Sequence, residues 1–142
     1  MKDLLIFYYD SQNRCTIAIE ADGTIHTLPE KPVKWLRRWC VEAGSSLEGR
    51  LEGYRKKMGI VQKPALYIGG RLTLIFIPTV SMERDDCLYL RADHIRKIMS
   101  VDGMAVVCFD TGVVYRIPVC ARSLRQQRSR SLQYLEMLNG LR

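Results

Sequence analysis

Short hydrophobic runs separated by polar turn residues open the chain, and this pattern indicates strands. The runs cover Leu4–Tyr9, Cys15–Ala21 and Thr24–Leu28, and the last two flank Asp22-Gly23. An Asp-Gly pair between hydrophobic runs is a strong signal for a hairpin turn. The first thirty residues are therefore predicted to form antiparallel strands, which end at the prolines that follow.

The next hydrophobic pattern has the period of an amphipathic helix. One helical face carries the smaller apolar side chains: Val33, Leu36, Cys40 and Ala43. Pro32 suits the first turn of a helix and Gly44 suits its end, so the sequence predicts a helix over residues 32–43. Trp35 and Trp39 lie one turn apart on this helix and are predicted to belong to the core.

Further strands follow after residue 63. Segments with strand character are, in chain order, residues 65–68, 71–78, 87–90, 104–109 and 113–118. Gly69-Gly70 and residues 110–112 are predicted hairpin turns, because glycine allows the backbone conformations that tight turns require. Residues 92–99 are predicted to form a short helical or irregular piece.

The last predicted element is a helix from an N-cap at Ser123 to a stop at Gly140. Its leucines form one stripe: Leu124, Leu132, Leu135 and Leu138. The sequence leaves two roles open for this helix. Its leucine stripe forms a multimer interface, or its arginines contact phosphate. The predicted fold class is α+β, with antiparallel hairpins, a central helix and a C-terminal helix in one domain over residues 1–142. Its parts are predicted as strands (1–30), helix plus basic segment (31–63), hairpins (64–120) and C-terminal helix (121–142).

The segment from Gly44 to Gly59 combines glycines with clustered cations. It holds four glycines in sixteen residues. Glycine costs about 1 kcal/mol relative to alanine in a helix interior, so the segment is predicted to be non-helical. Glycine also lets the main chain come close to a ligand, and clustered cations favour a polyanionic ligand. The candidate cations are Arg50, Arg55, Lys56 and Lys57.

Basic residues are concentrated in two blocks of the chain. The net charge is +7, and residues 31–63 carry nine basic and three acidic residues, while residues 116–142 carry six and one. The second block places arginines in the first two turns of the predicted C-terminal helix: Arg122, Arg125, Arg128 and Arg130. The helix dipole disfavours cations there, so a partner is expected to offset the cost. An anionic partner and a solvated basic surface explain the two blocks equally well.

The sequence offers no set of residues for catalysis, and no cofactor or metal ion is expected. His26 and His94 lack Cys, Asp or Glu at metal-ligand spacing. Residues 44–51 depart from the phosphate-binding loop pattern, since arginine and leucine replace its lysine and hydroxyl residue. Five cysteines without a C-x-x-C pair favour reduced thiols in a cytoplasmic protein. No secretory signal opens the chain and no apolar run approaches the roughly 20 residues of a membrane span, so no membrane partner is expected.

From Cys40 onward, a series of residues is informative through its order and spacing. Its members are Cys40, Gly44-Ser45-Ser46, Gly49-Arg50, Gly53, Lys63-Pro64, Ile75-Phe76-Ile77-Pro78-Thr79, Ser81, Asp86-Cys87, His94-Ile95, Phe109, Gly112, Gln127 and Arg130. In this order the chain resembles the ComK family, the competence transcription factors of Gram-positive bacteria. The resemblance covers roughly the middle and C-terminal two-thirds of the chain. The tail that governs regulated proteolysis in longer members is expected to be absent.

The resemblance implies a DNA-binding transcriptional activator that acts as a homodimer or higher homo-oligomer. Family members are thought to bind A·T-rich duplex DNA, largely through the minor groove, and to bend promoter DNA. RNA polymerase is a further candidate partner. The implied DNA-binding residues lie in the basic segment and the last helix: Ser45, Ser46, Arg50, Tyr54, Arg55, Lys56, Lys57, Lys63, Arg122, Arg125, Arg128 and Arg130. Narrow A·T minor grooves attract arginine, so Arg50 and Arg55 are the predicted readers.

Two other functions are open at this point. An RNA-binding module would use Tyr54 and exposed strand aromatics to stack unpaired bases. A protein-interaction domain would use the basic surface to bind an acidic partner, and would bind no nucleic acid.

Overall fold

A computed structural model describes residues 3–60, 62–69 and 74–140. Within these residues the chain forms two antiparallel sheets and three α-helices, which confirms the α+β prediction. The strands are β1 (Leu4–Asp10), β2 (Cys15–Glu20), β3 (Ile25–Leu28), β4 (Leu66–Ile68), β5 (Leu74–Pro78), β6 (Leu88–Arg91), β7 (Ile95–Val101), β8 (Met104–Phe109) and β9 (Val114–Ile117). The helices are α1 (Pro32–Glu42), α2 (Leu47–Met58) and α3 (Ala121–Asn139).

The first sheet has six strands in the order β3-β2-β1-β6-β5-β4, and the second sheet has three in the order β7-β8-β9. β1 and β6 pair although about eighty residues separate them, so the N-terminal hairpin and the middle of the chain share one sheet. A 3₁₀ turn at Ala92–His94 carries the chain from β6 into the second sheet.

Two hydrophobic cores lie on the two faces of the first sheet. One face packs on α1, and there Phe7 meets Trp35 edge-on at 5.0 Å and stacks on Tyr89 at 4.5 Å between ring centroids. The other face packs on the second sheet, on α3 and on the end of α2, through Ile77, Val107 and other buried aliphatic residues. The prediction that the α1 tryptophans belong to the core is therefore confirmed.

The basic segment is helical, so the prediction of a non-helical segment is wrong. Gly44 and Gly59 lie outside α2, and their backbone angles φ of +84° and +66° favour glycine. Gly59 ends α2 in the left-handed conformation typical of a helix C-terminus. Only Gly49 and Gly53 lie inside the helix. The count of glycines misled because two of the four mark helix boundaries.

Two other boundaries differ from the prediction, and one predicted turn lies partly outside the described residues. Of the predicted helical or irregular piece at residues 92–99, only residues 92–94 form a 3₁₀ turn. Residues 95–101 form strand β7, because the tight turn at Asp102-Gly103 pairs them with β8. α3 begins at Ala121 with Cys120 as its N-cap, so Ser123 lies within the first turn. Of the predicted Gly69-Gly70 hairpin, residues 70–73 lie outside the described residues. No helix among the described residues is long and apolar enough to cross a membrane.

Candidate nucleic-acid interface

The last turn of α2 presents three adjacent cations. Arg55, Lys56 and Lys57 are exposed, and cations at a helix C-terminus interact favourably with the helix dipole. At the other end, the Ser46 hydroxyl accepts a hydrogen bond of 3.0 Å from the main-chain N–H of Gly49 and caps the helix. Ser46 therefore positions the helix that carries the cations.

Arg50 is half-buried and is held by neighbouring side chains. Its Nε donates a hydrogen bond of 2.7 Å to the Ser45 hydroxyl, and its guanidinium lies 5.3 Å from the centre of the Tyr67 ring. The Ser45 hydroxyl lies 3.3 Å from the carbonyl oxygen of Cys40, so Arg50 is connected to the end of α1. These contacts give Arg50 a structural role, and the prediction that it reads a DNA groove does not fit them.

Tyr54 is buried, with 2% of its surface exposed. Its ring meets Tyr134 of α3 edge-on at 4.9 Å, and burial raises the pKa of Tyr54 to about 12. A buried ring has no free face for a nucleic-acid base, so the predicted contact of Tyr54 with nucleic acid is wrong. Tyr54 instead joins α2 to α3.

Lys56 and Lys63 differ in their surroundings. Lys56 Nζ lies 3.2 Å from Glu52 Oε1 one helical turn earlier, an exposed pair that contributes little to stability. Lys63 is half-buried with φ +47°, a conformation that is uncommon outside glycine. Lys63 lines a groove of about 600 Å³ between α1, α2 and the loop at residues 79–86, together with Arg55 and Arg37.

Two of the four predicted arginines of α3 bind the neighbouring sheet. Arg125 Nε donates to the carbonyl oxygen of Ile98 at 2.9 Å, and Arg128 donates to that of Ile95. β7 therefore supplies a partner within the molecule for two of these four cations. Arg122 and Arg130 are exposed.

The leucine stripe of α3 packs inside the molecule. Leu124 is buried, and Leu135 and Leu138 pack against the core between the two sheets. Three of the four leucines are thus engaged within the molecule, whereas Leu132 is half-buried and belongs to neither hydrophobic core. The multimer interface at this stripe stays a prediction.

α2 and α3 bring cations of both basic blocks near each other. Arg130 lies one helical turn before Tyr134, whose ring meets Tyr54 of α2 at 4.9 Å, so this part of α3 packs beside α2. We call Arg55, Lys56, Lys57 and Arg130 the α2–α3 cations. They are exposed members of the predicted set on packed neighbouring helices. Arg125 is also exposed but its Nε binds β7, and Arg122 lies at the start of α3.

Several charged residues were missed in the sequence. Arg37 of α1 forms an ion pair of 2.6 Å with Glu48 of α2 and connects the two helices. Lys97 and Arg116 are exposed on β7 and β9. The prediction of a helical or irregular piece at residues 92–99 obscured the position of Lys97 on a strand.

Among the described residues, no group of three or more His, Cys, Asp or Glu side chains is arranged to hold a metal ion. Burial raises the pKa of the Cys87 and Cys40 thiols. Cys120 is exposed, and hydrogen bonding to main-chain N–H groups at the start of α3 lowers its pKa.

Comparison with known proteins identifies one family over nearly the whole chain. The family model described as ComK protein matches residues 2–140. The competence transcription factor of Bacillus subtilis (strain 168) is 25% identical over 114 residues, which cover 80% of this chain and 59% of that relative. This chain thus matches less than two thirds of the relative's length. No solved structure is significantly similar to the chain.

Proposed function

Because the chain belongs to the ComK family, we propose that it is a DNA-binding transcription regulator that activates promoters at A·T-rich sites as a homo-oligomer. The family match carries this proposal, and the similar protein from Bacillus subtilis is named a competence transcription factor. The exposed run Arg55-Lys56-Lys57 supports it, since a polyanion is the natural partner of adjacent cations on a rigid helix.

The α2–α3 cations suit contact from the side of the DNA backbone. A helix with its side chains is about 10–12 Å wide, whereas the minor groove of B-DNA is about 6 Å wide. α2 therefore stays outside the minor groove and only a side chain enters it. Arg55 is the proposed reader, because A·T tracts narrow the groove and attract arginine. Lys56 and Lys57 contact phosphates, which releases counterions and makes affinity strongly dependent on salt.

Fluorescence anisotropy with labelled A·T-rich and G·C-rich duplexes at two salt concentrations tests the proposal. The expected result is tighter binding to the A·T-rich duplex, with affinity that falls steeply as salt rises. Lys57→Gln should weaken binding to both duplexes, and Lys34→Gln on α1 is the matched control for the loss of one exposed charge. Absence of salt-sensitive duplex binding by the unmodified protein would contradict the proposal. An acidic protein partner would then explain the cations.

A further inference from the structure

The second sheet has an outer face that contains none of the α2–α3 cations. The register places Lys97 opposite Cys108 and Cys108 opposite Val114, and the next row holds Met99, Val106 and Arg116. Because side chains alternate across a strand, these two rows point to the same side of the sheet. We call them the outer face, and the opposite side of the sheet packs on the core.

The outer face is exposed at Lys97, Val114 and Arg116, whereas Val106 in the central strand is buried and Met99 and Cys108 are half-buried. The residues between these rows, such as Ile98 and Val107, belong to the core that includes α3, so α3 covers only the inner side. Val114 is 58% exposed, and Lys97 and Arg116 are exposed. Among the described residues, neither hydrophobic core includes a side chain of these two rows. A sheet face with exposed apolar residues is typical of an interaction surface.

The charges of the second sheet favour an anionic partner. Its three strands contain Arg96, Lys97 and Arg116 and no acidic residue. The nearest acids in sequence, Asp102 and Asp110, lie in the turns at the ends of the strands. Asp110 is engaged with His94, at 3.0 Å between Oδ1 and Nδ1.

The same charges disfavour a second copy of this chain as the occupant. If the outer faces of two copies met, Lys97 and Arg116 of each copy would lie near the same cations of the other copy. Neither sheet has a carboxylate on its strands to neutralise them. Like charges brought together at an interface cost binding free energy. Phosphate groups satisfy the cations, and apolar side chains pack against sugar and base edges where sheets bind DNA grooves.

We propose that the outer face is a second surface that contacts duplex DNA. Lys97 and Arg116 bind phosphates, and Val114, which neighbours Arg116 on the same face of β9, packs against deoxyribose. This inference rests on the proposed function, because it assigns a further surface to the same partner. Contacts to sugar and phosphate position a protein on the duplex without reading its sequence. The outer face therefore strengthens binding to A·T-rich and G·C-rich duplexes alike.

The slope of log affinity against log salt concentration tests this assignment. Each phosphate contact contributes about 0.9 to the slope, which corresponds to roughly eightfold in affinity between about 1 M and 0.1 M salt. Arg116→Gln and Lys97→Gln should each reduce the slope by about 0.9, and the double variant by about twice that. Lys34→Gln is the control, since α1 packs on the opposite face of the first sheet from the second sheet.

The outcomes separate this inference from the proposed function. If Lys57→Gln reduces the slope while Arg116→Gln and Lys97→Gln keep it, the outer face is no DNA contact and the proposed function stands. If the unmodified protein binds no duplex, both fail together. Val114→Glu, at an exposed position, should weaken DNA binding and leave the oligomeric mass in sedimentation unchanged. A fall in that mass without DNA would make this face an interface between copies and overturn the inference.

Discussion

Arg128 donates two hydrogen bonds to the main-chain carbonyl of Ile95, from Nη2 at 2.8 Å and from Nε at 3.2 Å. Ile95 begins β7, an edge strand of the second sheet. With Arg125, which binds the carbonyl of Ile98 in the same strand, Arg128 ties α3 to that edge. Arg125 and Arg128, whose charges are unfavourable near the N-terminus of a helix, thus connect α3 to the sheet.

Arg128→Ala should lower the free energy of unfolding by about 2 kcal/mol, because hydrogen bonds to charged groups contribute about 1.5–3 kcal/mol. Arg128→Lys should lose less, since an ammonium group can still donate to the carbonyl. Urea denaturation measures both, and Arg122→Ala, an exposed change on the same helix, should stay within about 0.5 kcal/mol of the unmodified protein. Equal effects of Arg128→Ala and Arg122→Ala would contradict this role.

The two glycines inside α2 should respond differently to alanine. A β-carbon at Gly53 would lie 3.6 Å from the Tyr134 hydroxyl oxygen, an ordinary contact, so Gly53→Ala should stabilise the protein by about 0.5–1 kcal/mol. A β-carbon at Gly49 would lie 2.9 Å from the Ser46 hydroxyl oxygen and would disturb the helix cap. Gly49→Ala should therefore gain little or destabilise.

A double-mutant cycle on thermal unfolding checks the explanation for Gly49. In a Ser46→Ala background the cap is already lost, at about 1 kcal/mol. Gly49→Ala should then become stabilising, as Gly53→Ala is in the unmodified protein. Additive effects of the Gly49 and Ser46 changes would show that the cap does not limit position 49.

Arg50→Ala should act on stability rather than directly on DNA. Its contacts with Ser45 and Tyr67 are charge-assisted, and their loss should lower the free energy of unfolding by about 1–2 kcal/mol. Lys57→Ala, on the exposed side of the same helix, should leave the stability within about 0.5 kcal/mol. Urea denaturation separates the two. Loss of A·T preference in an Arg50→Ala protein that keeps its stability would restore Arg50 as a reader.

Arg55 and Lys56 should affect DNA binding in different ways. Arg55→Ala should reduce the preference for A·T-rich over G·C-rich duplex, because it removes the side chain proposed to enter the minor groove. Lys56→Ala should weaken both duplexes about equally, as expected for a phosphate contact. Anisotropy titrations of both variants at one fixed salt concentration measure this. An unchanged ratio of the two affinities in Arg55→Ala would exclude it as the reader.

Alkaline pH should destabilise the protein through Tyr54. Burial raises its pKa to about 12, whereas tyrosine in an unfolded chain titrates near about 10. The unfolded chain therefore releases this proton first, so stability present below pH about 10 is lost as the pH rises towards 12. Tyr54→Phe should show a shallower decline of unfolding free energy between these pH values. Parallel pH profiles for the variant and the unmodified protein would refute this linkage.

The local elements with strong signals were predictable from the sequence. The Asp22-Gly23 hairpin, the helix that Pro32 opens and the β8–β9 hairpin match the structure closely. The family was also identified from residues in a fixed order, and the family match over residues 2–140 confirms it. The hairpins and the helix depend on neighbours in sequence, so a local pattern is enough to predict them.

The accessibility of the candidate residues was decided by the tertiary structure. Arg50, Tyr54, Arg125 and Arg128 had the residue types of a nucleic-acid site, yet Tyr54 is buried and other parts of the fold engage the three arginines.

The amino-acid sequence alone thus determined the α+β class, the family and the two basic blocks, because composition, periodicity and the order of residues do not depend on tertiary contacts. Tertiary packing decided which cations other elements engage, such as Arg128, whose carbonyl partner Ile95 lies 33 residues away. Such contacts depend on partners distant in sequence, whereas β7 pairs with β8 through the local turn at Asp102-Gly103.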